Sequence, residues 1–345
     1  MGVKEFFKLS DGENITLSKL KNKTLIIDAF EVIYRTALAT PEPLTNSKGD
    51  ITSHINSIFQ NIVKYKSFNI TPIYVFDTIA CKMKSGTLIR RQEARLKSQQ
   101  QLKIETDVTI RNKLYKRAFT VSDKIINDVK FLLMNMNVLY IEAPNGFEAE
   151  QYAAHLVKEG IGYAVMSSDA DALVFGSPVV IKREKGGKFT LHELDKILMK
   201  HDITQDQLIK ISVALGCDFA EKSKGVGIKT VINKIKNDKV QFTDDQLKAI
   251  ELFKQHVKKH TIDNSFELKN NDIQEGMYNI YVWLVNDLEF NTNRVHKILQ
   301  KYGYKGDLIT ASIKEKKTVK SYIDEDIESN PHVDQDALIQ LLLNG

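Results

Sequence analysis

Residues 145–176 read NGFEAEQYAAHLVKEGIGYAVMSSDADALVFG. Glu148 and Glu150 stand at the head of a run in which Ala, Tyr and Leu recur at helical spacing, and Gly160 and Gly162 end that run. The apolar residues that follow, through position 168, read as a buried strand, so Asp169 and Asp171 fall where a strand ends. In an extended stretch residues two apart point to one side, which lets this Asp pair converge. Four acids placed in this way fit an oxygen-ligand metal site. Each pair alone also fits a plainer role, since acids at a helix N-terminus favour the macrodipole and Asp after a strand is ordinary turn chemistry.

Upstream lie two more short apolar runs, each closed by an acid. Residues 23–28 are KTLIID, ending in Asp28, and residues 72–77 are PIYVFD, ending in Asp77. Between them, Ala29, Val32, Ile33 and Leu38, and then Ile55, Ile58, Phe59, Ile62 and Val63, follow a helical period. Strands alternating with helices predict an α/β fold with a mainly parallel central sheet flanked by helices. Asp28, Asp77, Asp169 and Asp171 all fall at or just beyond strand carboxyl ends, the edge where open α/β sheets bind ligands. Independent turn aspartates have no reason to favour one edge.

Bulk composition narrows the class. The 345 residues are 27% charged and 42% hydrophobic, enough to bury a sizeable core in one or two domains. No apolar run is long enough to span a bilayer, and the opening MGVKEFFKL lacks a signal-peptide layout. The two cysteines, Cys81 and Cys217, are far apart, so the expectation is an intracellular protein with no disulfide framework. No Cys or His cluster has zinc spacing, and any metal is expected to be hard, Mg²⁺ or Mn²⁺.

The net charge of +5 is unevenly spread. Between positions 82 and 117 eleven Lys and Arg face only Glu93, Glu105 and Asp107. Gly86 is the last Gly or Pro before Pro144, so residues 87–129 are expected to be mainly helical, with a joint near Gln99–Gln101. Lys84, Leu88, Arg91 and Arg95 share one face of that helix. Such a basic segment fits a nucleic-acid contact, and a solvated charged helix would look the same. Further on, residues 127–139 read as a helix, 179–182 as a strand, and 191–203 and 205–215 as helices. Residues 216–236, GCDFAEKSKGVGIKTVINKIK, place Asp218 after a helix and Gly225-Val226-Gly227 before a basic helix. A Gly-x-Gly turn there lets backbone N–H groups approach a phosphate, although it also suits a plain interhelical turn. Trp283 reads as core, and no internal repeat is visible.

Together these motifs resemble the structure-specific 5′ nucleases of the flap endonuclease/XPG family. The likeness is carried by GVKEFFKL, LIIDAFEVIY, ITSHI, IYVFD, EAPNGFEAEQYAAHLVKEG, SSDADALVFGSP and LGCDF…KGVGIKT, spread over about two thirds of the chain. It implies a PIN-like 5′ nuclease fold with a helical arch and a helix–two-turn–helix motif. On that reading residues 1–240 form the nuclease core, with the arch at about 78–125 and the duplex-binding motif at about 205–240. Residues 241–345 form a helical region packed on the core.

The resemblance further implies a site. Asp28, Asp77, Glu148, Glu150, Asp169, Asp171 and Asp218 match the family's metal carboxylates, which hold two Mg²⁺ ions replaceable by Mn²⁺. Lys84 and Arg91 match its basic catalytic residues. Gly2 matches its N-terminal glycine, and Tyr34 an aromatic that stacks on a nucleobase, where a core Tyr would otherwise be expected. Gly216, Gly225, Gly227 and Lys229 match the DNA-binding turn, which in the family also holds K⁺. The implied activity is two-metal hydrolysis of DNA with 5′ flaps, nicks or junctions, in replication, repair or recombination, at a nuclear or a viral or cytoplasmic replication site. A 5′–3′ exonuclease, a junction resolvase or a silent junction-binding scaffold are the alternatives, with a PIN-type ribonuclease more distant. Gln335, Leu338, Leu341 and Leu342 have the spacing of a sliding-clamp-binding peptide (335–342), although a short amphipathic terminal helix is the plainer reading of the same residues. Thr78-Ile79-Ala80-Cys81, Cys217, Ile228 and a short 41–50 loop depart from the family pattern without removing a carboxylate.

Overall fold

The computed structural model describes residues 6–39, 43–78, 85–225, 227–255 and 273–306, apart from the side chains of residues 85–91 and 185. Gly2, Lys84 and the proposed clamp peptide lie outside the described residues, as does the Arg91 side chain.

A short edge strand, β1 (Glu13–Ile15), precedes the apolar β2 (Thr24–Asp28), which is followed by α1 (Ala29–Ala37) and α2 (Ser53–Ser67). After β3 (Thr71–Phe76) come three helices, α3 (Ser85–Leu102), α4 (Val108–Ala118) and α5 (Asp123–Asn135). Strands and helices then alternate through β4 (Leu139–Glu142), α6 (Ala149–Lys158), β5 (Ala164–Met166), the single turn α7 (Asp171–Val174) and β6 (Val179–Arg183). Next are β7 (Phe189–Glu193), α8 (Leu194–His201), α9 (Gln205–Leu215), α10 (Ile228–Lys236), α11 (Asp244–Lys254), α12 (Ile273–Val282) and α13 (Thr292–Tyr302). Among the described residues no helix is long and apolar enough to cross a membrane.

The strands form one seven-stranded sheet in the order β1-β7-β6-β5-β2-β3-β4. β2 to β6 run parallel, and β7 and β1 are added antiparallel at one end. From β2 the chain builds outward through β3 and β4, then returns to build β5 and β6 on the other side. The order therefore reverses between β2 and β5, the switch point at which such sheets open a crevice.

Alternation along the strands splits the core into two layers. Ile26, Ile73, Val75, Val165 and Val180 face one side, under α6, α7, α9, α10 and α11. Leu25, Ile27, Tyr74, Phe76, Met166 and Ile181 face the other, under α1, α2, α5, α12 and α13. A central strand buried on both faces needs an unbroken apolar run, which is why TLIID and TPIYVF do not alternate with polar residues. Trp283 is 3% exposed and packs edge-on against Phe131 at 5.0 Å, as a core residue should.

Three local expectations are corrected. Residues 189–193 form strand β7, and the helix expected from 191 begins only at Leu194. Phe189 and Leu191 turn inward along a local antiparallel hairpin with β6 and a long-range pairing with β1, and those ladders override a helix-compatible pattern. The joint in the basic helices is not at Gln99–Gln101. α3 runs through to Leu102, and the break falls before Asp107, whose carboxylate caps α4 by accepting from the Ile110 N–H at 2.9 Å. The Asp169–Asp171 pair is not on an extended strand either, because β5 stops at Met166 and Asp171 is already the first residue of α7.

Candidate active site

Each acid reaches the crevice for a local reason. Asp28 ends β2 and caps α1, its Oδ1 accepting the Glu31 N–H at 2.9 Å. Burial, followed by the neighbouring Asp77 charge, raises its pKa to about 7. Asp77 follows β3 directly, and its Oδ1 accepts the N–H of Ala149 at 2.6 Å. That bond serves the start of α6 from another strand. Glu148 is the N-cap residue of α6 by backbone position, yet its own side chain makes no capping bond.

Glu150, on the first turn of α6, accepts from the Ser167 hydroxyl at 3.1 Å and from the Ala172 N–H at 3.2 Å. The Ser167 hydroxyl also accepts the Asp169 N–H at 3.0 Å, and Asp169 Oδ1 accepts the Ala170 N–H at 2.7 Å. These bonds close the β5–α7 turn around α6. They bring one carboxylate oxygen each from Glu150, Asp169 and Asp171 within 4.8 Å of one another. Asp171 is buried, and the other two are half-buried.

Asp218 comes from the far end of α9. Gly216 ends that helix at φ +91°, and Asp218 follows two residues later, half-buried. The thiol of Cys217 reports its neighbourhood. Burial pushes the Cys217 pKa up to about 12, and the charges of Asp171 and Asp218 act on it in the same direction. Asp171, at the start of α7, thus lies near Cys217, the residue before Asp218.

The acids at the ends of β2, β3 and β5 all leave the same edge of parallel strands, and α6, packed over those three strands, adds Glu148 and Glu150 from its N-terminus. Oxygen donors alone, gathered this closely and partly out of water, repel one another unless a cation is shared. Hard divalent cations take such donor sets, so the residues present fit a divalent metal site. Sequence reasoning missed Ser167, whose hydroxyl ties Glu150 to the Asp169 backbone. Its only signal was a Ser between a strand and an Asp, and such residues abound.

Of the expected DNA contacts, Tyr34 is half-buried on α1, its ring edge-on to Phe119 at 5.6 Å. Gly225 has φ +70°, and Gly227 is the N-cap residue of α10. A Cβ at either position would meet nothing within 4 Å, so their backbones face open space. Lys229, on the first turn of α10, is exposed. A Cβ on Gly216 would lie 3.1 Å from the Lys222 backbone nitrogen, so that glycine is required by its surroundings and by its positive φ.

Two family models match the chain: the XPG N-terminal domain over residues 1–98 and the XPG I-region over residues 137–218. Flap endonuclease 1 of Methanococcus aeolicus is 32% identical over 318 residues, which cover 87% of this chain and 94% of that protein. The chain belongs to the flap endonuclease 1 family of XPG nucleases. Within that family, the relative from Dictyostelium discoideum is 36% identical over 257 residues, covering 69% of this chain and 66% of its own. The solved flap endonuclease-1 from Methanococcus jannaschii superposes with a TM-score of 0.68 at 27% identity, over 87% of this chain and 98% of that one. The catalytic core of Rad2 in complex with DNA substrate shares the fold, with a TM-score of 0.65 at 18% identity over 86% and 99% of the two chains. The PIN-like nuclease fold and the metal-dependent DNA nuclease class expected from the motifs both stand.

Proposed function

We propose that this chain is a structure-specific 5′ flap endonuclease that cuts DNA phosphodiesters where single strand meets duplex. The observation that carries this reading is the convergence of Glu150, Asp169 and Asp171 at the sheet's switch point in a chain of this family. Asp28, Asp77, Glu148 and Glu150 would hold one Mg²⁺, and Asp169, Asp171 and Asp218 a second, with Mn²⁺ able to replace either. Bound there, divalent ions supply an activated water and neutralise charge on the phosphate and the leaving oxygen.

The chain's own groups do the rest. The Ser167 hydroxyl and the Ala172 N–H hold Glu150 in place, and Asp77 is held by the Ala149 N–H. Lys84 and Arg91 would stabilise negative charge developing on the phosphate. Tyr34 would stack on an unpaired base beside the cut. The open backbone of Gly225 and Gly227, with Lys229 and the backbone at Gly216, would grip duplex phosphates without reading bases, a bound K⁺ completing the turn. Gly2 would lie near the reacting strand. Residues 78–125 serve as the gateway, 205–240 as the duplex grip and 241–345 as a supporting region, with 335–342 reaching a sliding clamp. The enzyme would act inside the cell at sites of DNA replication and repair.

The test is a panel of labelled DNAs (5′ flap, nick, gap, Y-fork and four-way junction) in Mg²⁺, comparing wild type with Asp169→Asn. Cleavage should be strongest on the flap and absent from the variant. Binding without product from the wild type would instead indicate a silent scaffold.

A further inference from the structure

Phe30 is the second residue of α1, two positions after Asp28. The first turn of a helix favours acids and small polar groups, so nothing in helix formation asks for an aromatic there. The N–H groups of Phe30 and Glu31 both lie against the Asp28 carboxylate, which fixes the backbone beside the acidic crevice. The Phe30 ring is half-buried and meets Phe76 edge-on, at 6.3 Å and 77°. Phe76 is itself 1% exposed and immediately precedes Asp77. Phe30 thus stands beside the two strand ends that carry Asp28 and Asp77.

Tyr34 follows four residues later on α1, so the two side chains share one face, about 6 Å apart along the helix axis. It too is half-buried, and its ring is set edge-on to Phe119 at 5.6 Å and 85°. Among the described residues no ring contact joins Phe30 to Tyr34. Each ring therefore leans on an aromatic support of its own. An edge-on support does not cover a ring as a stacked partner would. It also fixes the tilt, so little side-chain freedom is left to lose when something stacks there. Successive nucleotides in a stacked strand rise about 3.4 Å. A separation of about 6 Å is too wide for bases stacked on each other and suits neighbouring bases drawn apart.

We propose that Phe30 is a second stacking residue for the unpaired strand, taking the base next to the one held by Tyr34 on the side of the metal acids. This rests on the flap endonuclease reading above, in which Tyr34 stacks on an unpaired base beside the cut. Phe30 lies one turn nearer Asp28, so the base it holds belongs to the nucleotide nearer the scissile phosphate. An aromatic face stacks on any base, and the pair grips the strand without reading its sequence. Two anchored bases fix the phosphate that joins them, which one stacked base leaves free to swing.

The experiment places 2-aminopurine, whose fluorescence falls when it stacks, at each unpaired position beside the junction of a 5′ flap DNA. Complexes are read in Ca²⁺ for wild type, Phe30→Leu, Phe30→Tyr and Tyr34→Leu. Wild type should quench two adjacent positions. Phe30→Leu should restore fluorescence only at the position nearer the cut, and Tyr34→Leu only at the other. Phe30→Tyr should keep both quenched. In Mg²⁺, single-turnover cleavage by Phe30→Leu should slow on the order of tenfold. Replacing the nearer base by an abasic site should slow wild type by a similar factor and leave Phe30→Leu equal to it. An unchanged quenching pattern in Phe30→Leu would overturn the proposal. So would a loss that persists on the abasic DNA, because the ring would then serve only to pack on Phe76. If Phe30→Leu folds poorly, Phe30→Met should show the same selective loss at one position. A wild type that quenches both positions yet cuts nothing in Mg²⁺ would reject the nuclease reading and leave the stacking standing. Normal cutting with no quenching that depends on Phe30 would reject the stacking alone.

Discussion

Asp77, directly after β3, accepts the backbone N–H of Ala149 at 2.6 Å, across 72 positions of sequence. One carboxylate therefore serves both the start of α6 and the acidic crevice. An amide oxygen can replace it in the first role but not in the second. Asp77→Asn should melt within about a degree or two of wild type in EDTA, because the cap survives and a charge beside Asp28 is removed. Asp77→Ala should cost about 1 kcal/mol, the usual worth of a lost cap. Both variants should cut flap DNA at least about a hundredfold more slowly. Calorimetry with single-turnover cleavage checks this, and an active Asp77→Asn would remove Asp77 from the metal site.

Ser167 carries no charge, yet its hydroxyl donates to Glu150 and accepts from the Asp169 N–H. Ser167→Ala should weaken metal binding by about 10- to 100-fold, the range found when groups that orient metal ligands are removed. Titration calorimetry with Mn²⁺ reads the loss directly. Excess metal should restore most of the cleavage rate, whereas it should not restore Asp169→Asn.

His54 is fully buried, and neither ring nitrogen has a hydrogen-bond partner among the described residues. Burial lowers its pKa to about 4, with Lys124 adding to the effect. The unfolded chain then binds more protons than the folded one between pH 4 and the ordinary His value of about 6.5. The stability this histidine contributes is present above that value and is lost as pH falls toward 4. Asp28 and Asp128, raised to about 7 and about 6, act in the opposite sense, so the net profile is shallow. The readout is therefore a difference. Between pH 7 and 4.5, His54→Leu should lose less stability than wild type, by up to about 2–3 kcal/mol at roughly 1.4 kcal/mol per pKa unit. Urea unfolding at the two pH values decides it, and parallel losses would show that His54 protonates normally.

Gly216 has φ +91°, and a Cβ there would sit 3.0 Å from Lys222 Cβ and 3.1 Å from its backbone nitrogen. Gly216→Ala should destabilise by more than about 1 kcal/mol and displace Asp218. A lower melting temperature with weaker Mn²⁺ binding is the expected pair of results. An unchanged affinity would mean that Asp218 is held by something other than this turn.

Much of the fold was open to a reader of the chain. The apolar runs closed by Asp28 and Asp77, the helical period after each, and the glycines after α6 are local signals, and local signals survive in one dimension. β7 was hidden because residues 191–203 also fit a helical period, and its strand state comes from five-position pairing with β6 across the Gly186–Gly187 turn, with β1 adding three more on its other edge. The joint after α3 was misplaced as well. Gln99 and Gln101 look like a polar joint, but α3 continues to Leu102 and the next helix starts only after the Asp107 cap.

For the site, residue types and their attachment to strand ends were determined by the sequence itself, since a carboxylate after a buried run has to emerge at one edge of a parallel sheet. Which oxygens meet was decided only by the tertiary structure. Glu150 joins Asp169 and Asp171 because Ser167 and the Ala172 N–H draw the β5–α7 turn onto α6, and no spacing along the chain encodes that closure.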